Sequence, residues 1–241
     1  MEKASEVAIS VGSTLSDLAG QASDDATISI PGLFKSYRPQ ALIAIMLFSI
    51  QQFAGINAII YFSSEVFRAA GASNPAVASA VVGVANLVGT IVAGRLIDSA
   101  GRKSLLTKSF IGMSCSMAVL SFYGTNASTI VAVGGTLVYV LAFAFGAGPV
   151  PALLASEVFP SLARGSGVSL AMLTHWVTNV IVGQFFLMGV ASCGLSAVYA
   201  IFAVVCALGA LYINGPSVPE TKGKSLDEIQ GHFATAISSS A

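Results

Sequence analysis

The sequence predicts an all-α membrane protein with six transmembrane helices. Of its 241 residues, 55% are hydrophobic and 9% are charged, whereas an ordinary soluble domain carries about 25% charged residues. The 11 Lys and Arg residues balance the 11 Asp and Glu residues, so the chain has no net basic charge with which to bind nucleic acid. The composition therefore favours the lipid bilayer as the protein's surroundings and excludes nucleic acid as a partner.

Six apolar stretches are each long enough to cross a bilayer as an α-helix, which takes about 20 residues. They lie at about residues 40–64, 76–94, 104–123, 130–155, 165–190 and 195–214. Ten of the eleven basic residues fall on one side of these six spans, and only Arg68 falls on the other. By the positive-inside rule, both ends of the chain are expected on the cytoplasmic side, or on the stromal side in a plastid.

Three regions follow from the positions of the spans. Residues 1–38 form a cytoplasmic segment, residues 39–215 a six-helix transmembrane bundle, and residues 216–241 a cytoplasmic tail. Apolar residues at helical spacing predict a short amphipathic helix within residues 5–20. In the tail, Ser225 is followed three residues later by Glu228, a pair that predicts a capping box at the start of a helix.

Uncharged polar and aromatic residues stand inside three of the apolar spans. They are Gln51, Gln52 and Asn57 in the first span, Asn86 in the second, and His175, Trp176 and Asn179 in the fifth. Amides donate and accept hydrogen bonds at once, as a neutral polyol requires, and Trp offers an apolar face to a sugar ring. Because no Asp, Glu, Lys or Arg lies at the centre of a span, a sugar suits these positions better than an ion.

Interhelical hydrogen bonding is the alternative interpretation, because polar side chains in membrane helices often contribute about 0.6–2 kcal/mol in that way. For Asn86 alone, the two interpretations are equally compatible with the sequence. His175 and Asn179 are four residues apart and share one helix face, which favours a common ligand. No second His or Cys lies at metal-ligand spacing from His175, so we expect neither a metal nor another cofactor. No catalytic set of Ser, His and Asp or paired carboxylates indicates an enzyme.

Helix-breaking residues interrupt the first and the fourth span. They are Gly55 in the first span and Gly148, Pro149 and Pro151 in the fourth. When the spans are divided into two groups of three, these interruptions occupy corresponding positions, a pattern that points to a transporter's site near the membrane midplane. Simple packing kinks are the alternative, since Gly and Pro are common in membrane helices. On an unbroken helix, Gln52 and Asn57 would stand about 140° apart, so we expect a bend or an unwound turn at Gly55.

Four motifs follow one another in the order of a known family. They are QQFAGINAIIYFS (51–63), IDSAGRKSLL (97–106), GPVPALLASEVFP (148–160) and VPETKGKSLDEI (218–229). They resemble the seventh-helix signature, the loop between helices eight and nine, the tenth-helix motif and the C-terminal PETKG signature of the sugar porters. These belong to the major facilitator superfamily and include the facilitative glucose transporters. On this resemblance, the chain is similar to the C-terminal half of a twelve-helix fold.

The resemblance implies a role for particular residues. It implies sugar hydrogen bonds from Gln51, Gln52, Asn57, Asn86 and Asn179, and bending during alternating access around Gly148, Pro149 and Pro151. It also implies a cytoplasmic charge network that pairs in one transport state and separates in the other. The members of this network are Asp98, Arg102, Glu157, Arg164 and Glu220. Exposed ion pairs are individually weak, so these residues would act as a latch only together.

Two positions depart from the pattern of the glucose transporters. Ala152 stands where many of them carry Trp after the proline element, and His175 stands where Asn is common before Trp176. The THW sequence (174–176) and the GAGPVPALL stretch (146–154) resemble the plastidic glucose transporter branch of plants. The plastid envelope is therefore the expected location, with the plasma membrane and the vacuolar membrane as alternatives.

The activity that the resemblance implies is secondary transport of a hexose by alternating access, as a uniporter or a proton symporter. A site of this kind lies between two halves, so the expected partners are a hexose, the bilayer, an N-terminal six-helix half and, in symport, protons. The alternative function is that of a non-transporting sugar sensor or a regulatory partner of intact carriers.

Overall fold

The computed structural model describes residues 28–238, and all regular structure within that range is helical. Residues 1–27, which include the predicted amphipathic helix, and residues 239–241 lie outside the described part. The α-helices are α1 (Ile30–Ser36), α2 (Arg38–Phe53), α3 (Ile56–Ala69), α4 (Pro75–Ala100), α5 (Arg102–Tyr123), α6 (Thr129–Ala142), α7 (Val150–Val158), α8 (Ser161–Asn214) and α9 (Leu226–Ser238). A 3₁₀ turn (Gly124–Asn126) follows α5, and a π-turn (Phe143–Ala147) follows α6.

Five helical segments of the described range are long and apolar enough to cross a membrane. They are Arg38–Ala69, Pro75–Ala100, Arg102–Tyr123, Thr129–Val158 and Ser161–Asn214. The first segment joins α2 to α3 and the fourth joins α6 to α7, so both contain the interruptions that the sequence predicts. The prediction of an all-α membrane protein is confirmed.

The fifth segment, α8, contains both the fifth and the sixth predicted span. As one unbroken helix its 54 residues would extend about 80 Å, more than twice the thickness of a bilayer core. The helix is broken at Gly194, which has φ 84° and ψ 158°, a conformation open to glycine because it lacks a Cβ. Phe186 and Phe202, each eight residues from Gly194, stack with ring centroids 6.2 Å apart. The two parts of α8 therefore fold back on each other as two successive crossings.

The helices share the buried core unequally. Half of the residues of α2 are buried, whereas α4 buries only Val82, Gly89, Ala93 and Ile97 of its 26 residues. At Gly89, an added Cβ would lie 2.6 Å from the Cβ of Ala144, so the small residue permits close packing there. The remaining face of α4 is apolar and exposed, as expected of a helix that meets lipid or further helices.

The tail helix α9 begins with the capping box that the sequence predicts. The Ser225 N–H donates to Glu228 Oε2 at 2.7 Å, and the Glu228 N–H donates to Ser225 Oγ at 3.3 Å. Ile229 and Phe233 are buried against the rest of the chain. The predicted cap and helix are confirmed, and α9 packs on the end of the bundle where the charged residues collect.

Candidate functional site

The first span breaks between α2 and α3. Gly55 adopts a left-handed conformation with φ 94°, which costs a glycine little but strains any residue with a Cβ. An added Cβ would also lie 2.4 Å from the ring of Phe202. The carbonyl of Ala54 at the break accepts a hydrogen bond from Tyr139 Oη at 2.8 Å. Gly55 therefore permits the interruption, and the Tyr139 hydroxyl satisfies the Ala54 carbonyl beside it.

The break brings the amides of the first span together. Asn57 Nδ2 donates to Gln52 Oε1 at 2.5 Å, and Gln52 Nε2 donates to Gln51 Oε1 at 3.3 Å. Gln51 and Gln52 are only 3% and 1% exposed, so these bonds replace water. Side chains that would point apart on a straight helix thus form one hydrogen-bonded chain.

His175 of α8 joins these amides. Its Nδ1 lies 2.8 Å from Gln52 Nε2 and 3.3 Å from Gln51 Oε1. One ring nitrogen cannot accept from the first and donate to the second at the same time. The shorter contact assigns Nδ1 as an acceptor, which places the proton of the neutral ring on Nε2. We call Gln51, Gln52, Asn57 and His175 the amide cluster.

Gln51 connects the amide cluster to the break in the fourth span. Its Nε2 donates to the carbonyl of Ala147 at 2.5 Å and approaches that of Gly148 at 3.3 Å. In a regular helix the Ala147 carbonyl would accept from residue 151, but Pro151 has no N–H. Pro151 therefore leaves the Ala147 carbonyl without its helical donor, and Gln51 donates to it instead. The two interrupted spans meet at this hydrogen bond.

The fourth span changes its winding before the prolines. Residues Phe143–Ala147 form a π-turn in which the Gly148 N–H donates to the Phe143 carbonyl at 2.8 Å. Such wide turns are rare and frequently lie at functional sites. Irregular backbone at membrane depth is tolerated where protein surrounds it, and Ala144, Gly146 and Ala147 are buried. That Gly55, Gly148, Pro149 and Pro151 act as hinges stays a prediction.

Two other predicted residues of the fifth span lie beside the amide cluster. The Trp176 ring meets the His175 ring edge-on, with centroids 5.1 Å apart, and Trp176 is exposed. Asn179 lies one turn further along α8 and pairs with Tyr61, its Nδ2 3.4 Å from Tyr61 Oη. Both residues therefore flank the amide cluster without a hydrogen bond to its members.

Asn86 is the predicted site residue that the structure leaves apart. Its side chain forms no hydrogen bond with the amide cluster, and its Oδ1 is buried without a partner among residues 28–238. A buried polar atom without a partner costs free energy. Asn86 lies on α4, a helix with only four buried residues among its 26.

Four of the residues predicted to form the charge network lie together at the start of α5, namely Asp98, Arg102, Glu157 and Glu220. Arg102 Nη2 lies 3.1 Å from Glu157 Oε1 of α7, and its Nη1 lies 3.6 Å from Asp98 Oδ1. The Asp98 side chain is 84% exposed, so the second pair contributes little. Glu157 also accepts a hydrogen bond from Thr221 Oγ1 at 2.5 Å, which ties α7 to the tail.

Glu220 caps the N-terminus of α5. Its carboxylate accepts from the backbone N–H of Arg102 at 2.9 Å and of Lys103 at 3.0 Å, where the helix dipole favours a negative charge. Burial by itself raises the pKa of this carboxyl. The backbone N–H groups of Lys222, Arg102, Lys103 and Thr221 outweigh that effect and lower the pKa. Glu220 is therefore an ionised helix cap as well as a member of the network.

Arg164 is the predicted network residue with neither an ion pair nor a hydrogen bond to another member among residues 28–238. It lines a polar cleft of about 380 Å³ together with Arg102, Glu157 and Lys224. The cleft lies between α7, the start of α8 and the tail. Four of the five predicted charges thus join one connected set, and Arg164 stands at its edge.

The sequence interpretation missed Tyr139 and Thr221. Tyr139 is fully buried and its hydroxyl satisfies the break in the first span. A tyrosine inside an apolar span was the available signal, because a buried phenolic hydroxyl needs a hydrogen-bond partner. Thr221 lies inside the PETKG motif, but nothing in its spacing indicates the bond to Glu157.

A family model described as "Sugar (and other) transporter" matches residues 10–233. The chain belongs to the sugar transporter family. The resemblance of its four motifs to those of the sugar porters is confirmed by this match.

Named relatives in the sugar transporter family agree with this assignment. Plastidic glucose transporter 4 of Arabidopsis thaliana is 47% identical over 218 residues, which cover 88% of this chain and 40% of that protein. Facilitated trehalose transporter Tret1 of Bombyx mori is 37% identical over 205 residues, which cover 81% of this chain and 40% of that protein. The chain therefore spans about two fifths of the length of the curated relatives that it matches.

Solved structures of the superfamily share the fold. The major facilitator proton:xylose symporter XylE bound to 6-bromo-6-deoxy-D-glucose is 35% identical, with a TM-score of 0.73, over 89% of this chain and 48% of that one. The inward-open structure of XylE from E. coli is 36% identical, with a TM-score of 0.72, over 80% and 42% of the two chains. The predicted fold, half of a major facilitator, is confirmed.

Proposed function

We propose that this chain is the C-terminal half of a secondary carrier that moves a hexose across a membrane by alternating access. The hydrogen bond from Gln51 to the Ala147 carbonyl carries this proposal, because it joins the two interrupted spans at one point. Interrupted helices in corresponding positions of two helical repeats are typical of transporter sites. The amide cluster at that junction is neutral, as a sugar requires.

The depth of the amide cluster supports a site inside the membrane. Gln51 lies 13 residues beyond Arg38, which corresponds to about 20 Å of α-helix from the charged end of the bundle. A bilayer core is about 30 Å thick. A ligand bound at this depth exchanges with either side only if the surrounding helices move, which is what alternating access provides.

The proposed sugar contacts come from the amide cluster first. Gln51, Gln52, Asn57 and His175 already exchange hydrogen bonds, so a sugar hydroxyl can enter by replacing one of them at small net cost. Trp176 offers its exposed ring as an apolar wall, and Asn179 and Asn86 are further hydrogen-bonding groups. The Oδ1 of Asn86, which has no hydrogen-bond partner among residues 28–238, is an acceptor available to a sugar hydroxyl.

The proposed movement uses the two breaks and the charge network. Gly55 and the segment Gly148, Pro149 and Pro151 are the hinges, because helical hydrogen bonding is already incomplete there. The ion pair of Arg102 with Glu157 ties the ends of α5 and α7. Its separation, together with that of Asp98 and Glu220 from their partners, would release the charged end for opening. Arg164 lines the cleft beside this ion pair.

The whole carrier requires a second, N-terminal half and a membrane in which to act. The greater length of the relatives supports an N-terminal half, and the exposed apolar face of α4 offers that half a surface to pack on. Four plastidic or probable plastidic glucose transporters of Arabidopsis thaliana are 41% to 47% identical to the chain. We therefore propose the plastid envelope as its location, with residues 1–38 and 216–241 on the stromal side of the bundle 39–215.

Sugar uptake by a reconstituted carrier tests the proposal. The full chain is co-expressed with the N-terminal half of Plastidic glucose transporter 4 in transport-deficient cells, and uptake of radiolabelled glucose is measured. We call this combination the paired halves. Gln52→Ala and Asn57→Ala should each raise KM roughly tenfold, as expected for the loss of one or two hydrogen bonds.

A buried amide elsewhere in α2 provides the matched control. Gln40 Nε2 donates to Gln230 Oε1 at 3.1 Å, far from the amide cluster, so Gln40→Ala should leave KM unchanged. Unchanged uptake in both cluster variants would refute the site, and wild-type halves that carry no hexose would refute the function. Uptake by the chain alone would exclude the alternative role of a non-transporting sensor.

A further inference from the structure

Ser109 of α5 contacts both ends of the π-turn in the fourth span. Its Oγ donates to the Ala142 carbonyl at 2.6 Å and accepts from the Ala147 N–H at 2.8 Å. Ala142 and Ala147 are five residues apart, which is the spacing of the groups that a π-turn brings together. One hydroxyl from a neighbouring helix therefore bridges the carbonyl just before this turn and the N–H of its last residue.

Gly146 allows α5 to come close enough for this contact. An added Cβ at Gly146 would lie 2.8 Å from Ser109 Cβ and 2.6 Å from the carbonyl oxygen of Leu105. Any larger residue at position 146 would push the two helices apart. Ser109 is only 4% exposed, so its hydroxyl has no water to bond with instead.

The N–H and the carbonyl of Ala147 link Ser109 to the amide cluster. Ser109 holds the Ala147 N–H, and Gln51 Nε2 donates to the Ala147 carbonyl. With its NH₂ group committed to that carbonyl, Gln51 turns its Oε1 to the Gln52 amide, whose Nε2 donates to it at 3.3 Å. A reversed amide would place oxygen against oxygen, so the position of the Ala147 carbonyl sets the orientation of Gln51.

We propose that Ser109 is a positioning residue for sugar binding: by fixing the π-turn, its hydroxyl holds the Ala147 carbonyl where it orients the Gln51 amide. This inference rests on the proposed function for its effect on transport. Ser109 does not touch the amide cluster itself and acts through the backbone of the fourth span. Its loss removes an acceptor of the Ala147 N–H and a donor to the Ala142 carbonyl on the side that faces α5.

Ser116 offers a matched control on the same helix. It lies two turns further along α5, is 6% exposed, and donates to the Gly135 carbonyl of α6 at 2.6 Å. The two serines thus share burial, helix and type of bond. Only Ser109 contacts the π-turn.

Hydrogen exchange tests the local part of the inference without any sugar. The full chain is purified in detergent, and amide exchange within residues 143–150 is followed by mass spectrometry. Ser109→Ala should accelerate exchange in this segment about tenfold, because the Ala147 N–H loses a hydrogen bond. Ser116→Ala should leave it unchanged. Equal exchange in Ser109→Ala and the wild type would overturn the proposal.

Uptake by the paired halves tests the effect on binding. Ser109→Ala should raise KM for glucose roughly threefold to tenfold, with a smaller change in maximal rate, since a misoriented Gln51 weakens binding by about one hydrogen bond. Ser109→Cys fills the same space but hydrogen-bonds weakly, so it should show a similar rise in KM. Ser116→Ala should show none.

The outcomes separate this inference from the proposed function. Equal increases in KM for Ser109→Ala and Ser116→Ala would mean a general packing role, and restoration of KM by Ser109→Cys would mean a cavity effect; either result overturns the inference. Wild-type halves that transport no hexose overturn the function and the effect on KM with it. The exchange measurement then still decides whether Ser109 holds the π-turn.

Discussion

Tyr139 donates a hydrogen bond of 2.8 Å to the carbonyl of Ala54, the residue that precedes the break at Gly55. Tyr139 belongs to the fourth span and Ala54 to the first, and both are fully buried. A helix that breaks inside a membrane leaves carbonyls without a helical donor, at a cost of several kcal/mol each if unsatisfied. The hydroxyl of one interrupted span thus satisfies the backbone of the other.

We expect Tyr139→Phe to destabilise the protein by about 1–3 kcal/mol, because it leaves the buried Ala54 carbonyl without its donor. The melting temperature in detergent measures this loss. Tyr199→Phe is the control, since Tyr199 is also buried but its Oη has no hydrogen-bond partner among the described residues. Tyr199→Phe should be neutral or stabilising. Equal losses in the two variants would contradict the role of the Tyr139 hydroxyl.

We expect Gly55→Ala to destabilise the fold by about 2–5 kcal/mol. The left-handed backbone costs a residue with a Cβ about 1–2 kcal/mol, and overlap with Phe202 adds about 1–3 kcal/mol. Thermal stability on size-exclusion chromatography measures the change. Gly83→Ala in α4 is the control, because its added Cβ meets no atom within 4 Å. A stable Gly55→Ala protein would show that the break does not need glycine.

We expect His175→Ala to raise KM for glucose uptake by the paired halves threefold to tenfold. Gln52 Nε2 would lose the acceptor that holds its amide in place, a loss of about one hydrogen bond. Thr174→Ala is the control, because among the described residues the Thr174 hydroxyl bonds only to the Leu170 carbonyl of its own helix. If both variants bind glucose as the wild type does, His175 does not organise the amide cluster.

We expect Glu220→Gln to flatten the pH dependence of stability on the acid side. The lowered pKa of Glu220 means that its stabilisation is fully present above the ordinary value of 4.5 and is lost as pH falls through the lowered value. The effect is about 1 kcal/mol or less, because the carboxylate is partly exposed and solvent screens it. Melting temperatures of the wild type and of Glu220→Gln between pH 3 and pH 7 measure this contribution.

Asp98→Asn provides the comparison for Glu220→Gln. Asp98 is a carboxylate of the same network, but its side chain is 84% exposed and lies 3.6 Å from Arg102. Its removal should leave the acid-side profile unchanged. An acid-side profile that Asp98→Asn alters and Glu220→Gln does not would contradict the assignment of Glu220 as the helix cap.

The sequence carried the information needed to predict the break in the first span. Polar amides on both sides of a glycine, about 140° apart on a straight helix, can share a ligand only if the helix bends. The structure shows the bend, and Asn57 reaches Gln52 across it. The spans themselves were equally predictable, because bilayer thickness demands a minimum apolar length.

Other contacts could not be predicted, because they join residues far apart in sequence through groups that every residue possesses. Ser109 bonds to the backbone of Ala147, and Tyr139 to that of Ala54, 38 and 85 residues away. A backbone carbonyl leaves no signature in the sequence. Asn86 shows the converse. In the sequence, an amide within a span looks the same whether it joins a cluster or, like Asn86, has an Oδ1 without a partner in the described part of the chain.

The break at Gly194 has a consequence for how this protein enters its membrane. The residues around it, 190–197, contain no charge, and the stacked rings of Phe186 and Phe202 already pair the two arms of α8. No charged side chain has to be carried through the hydrocarbon layer between these two crossings. We therefore expect the last 54 residues of the bundle to enter the membrane together as one helical hairpin.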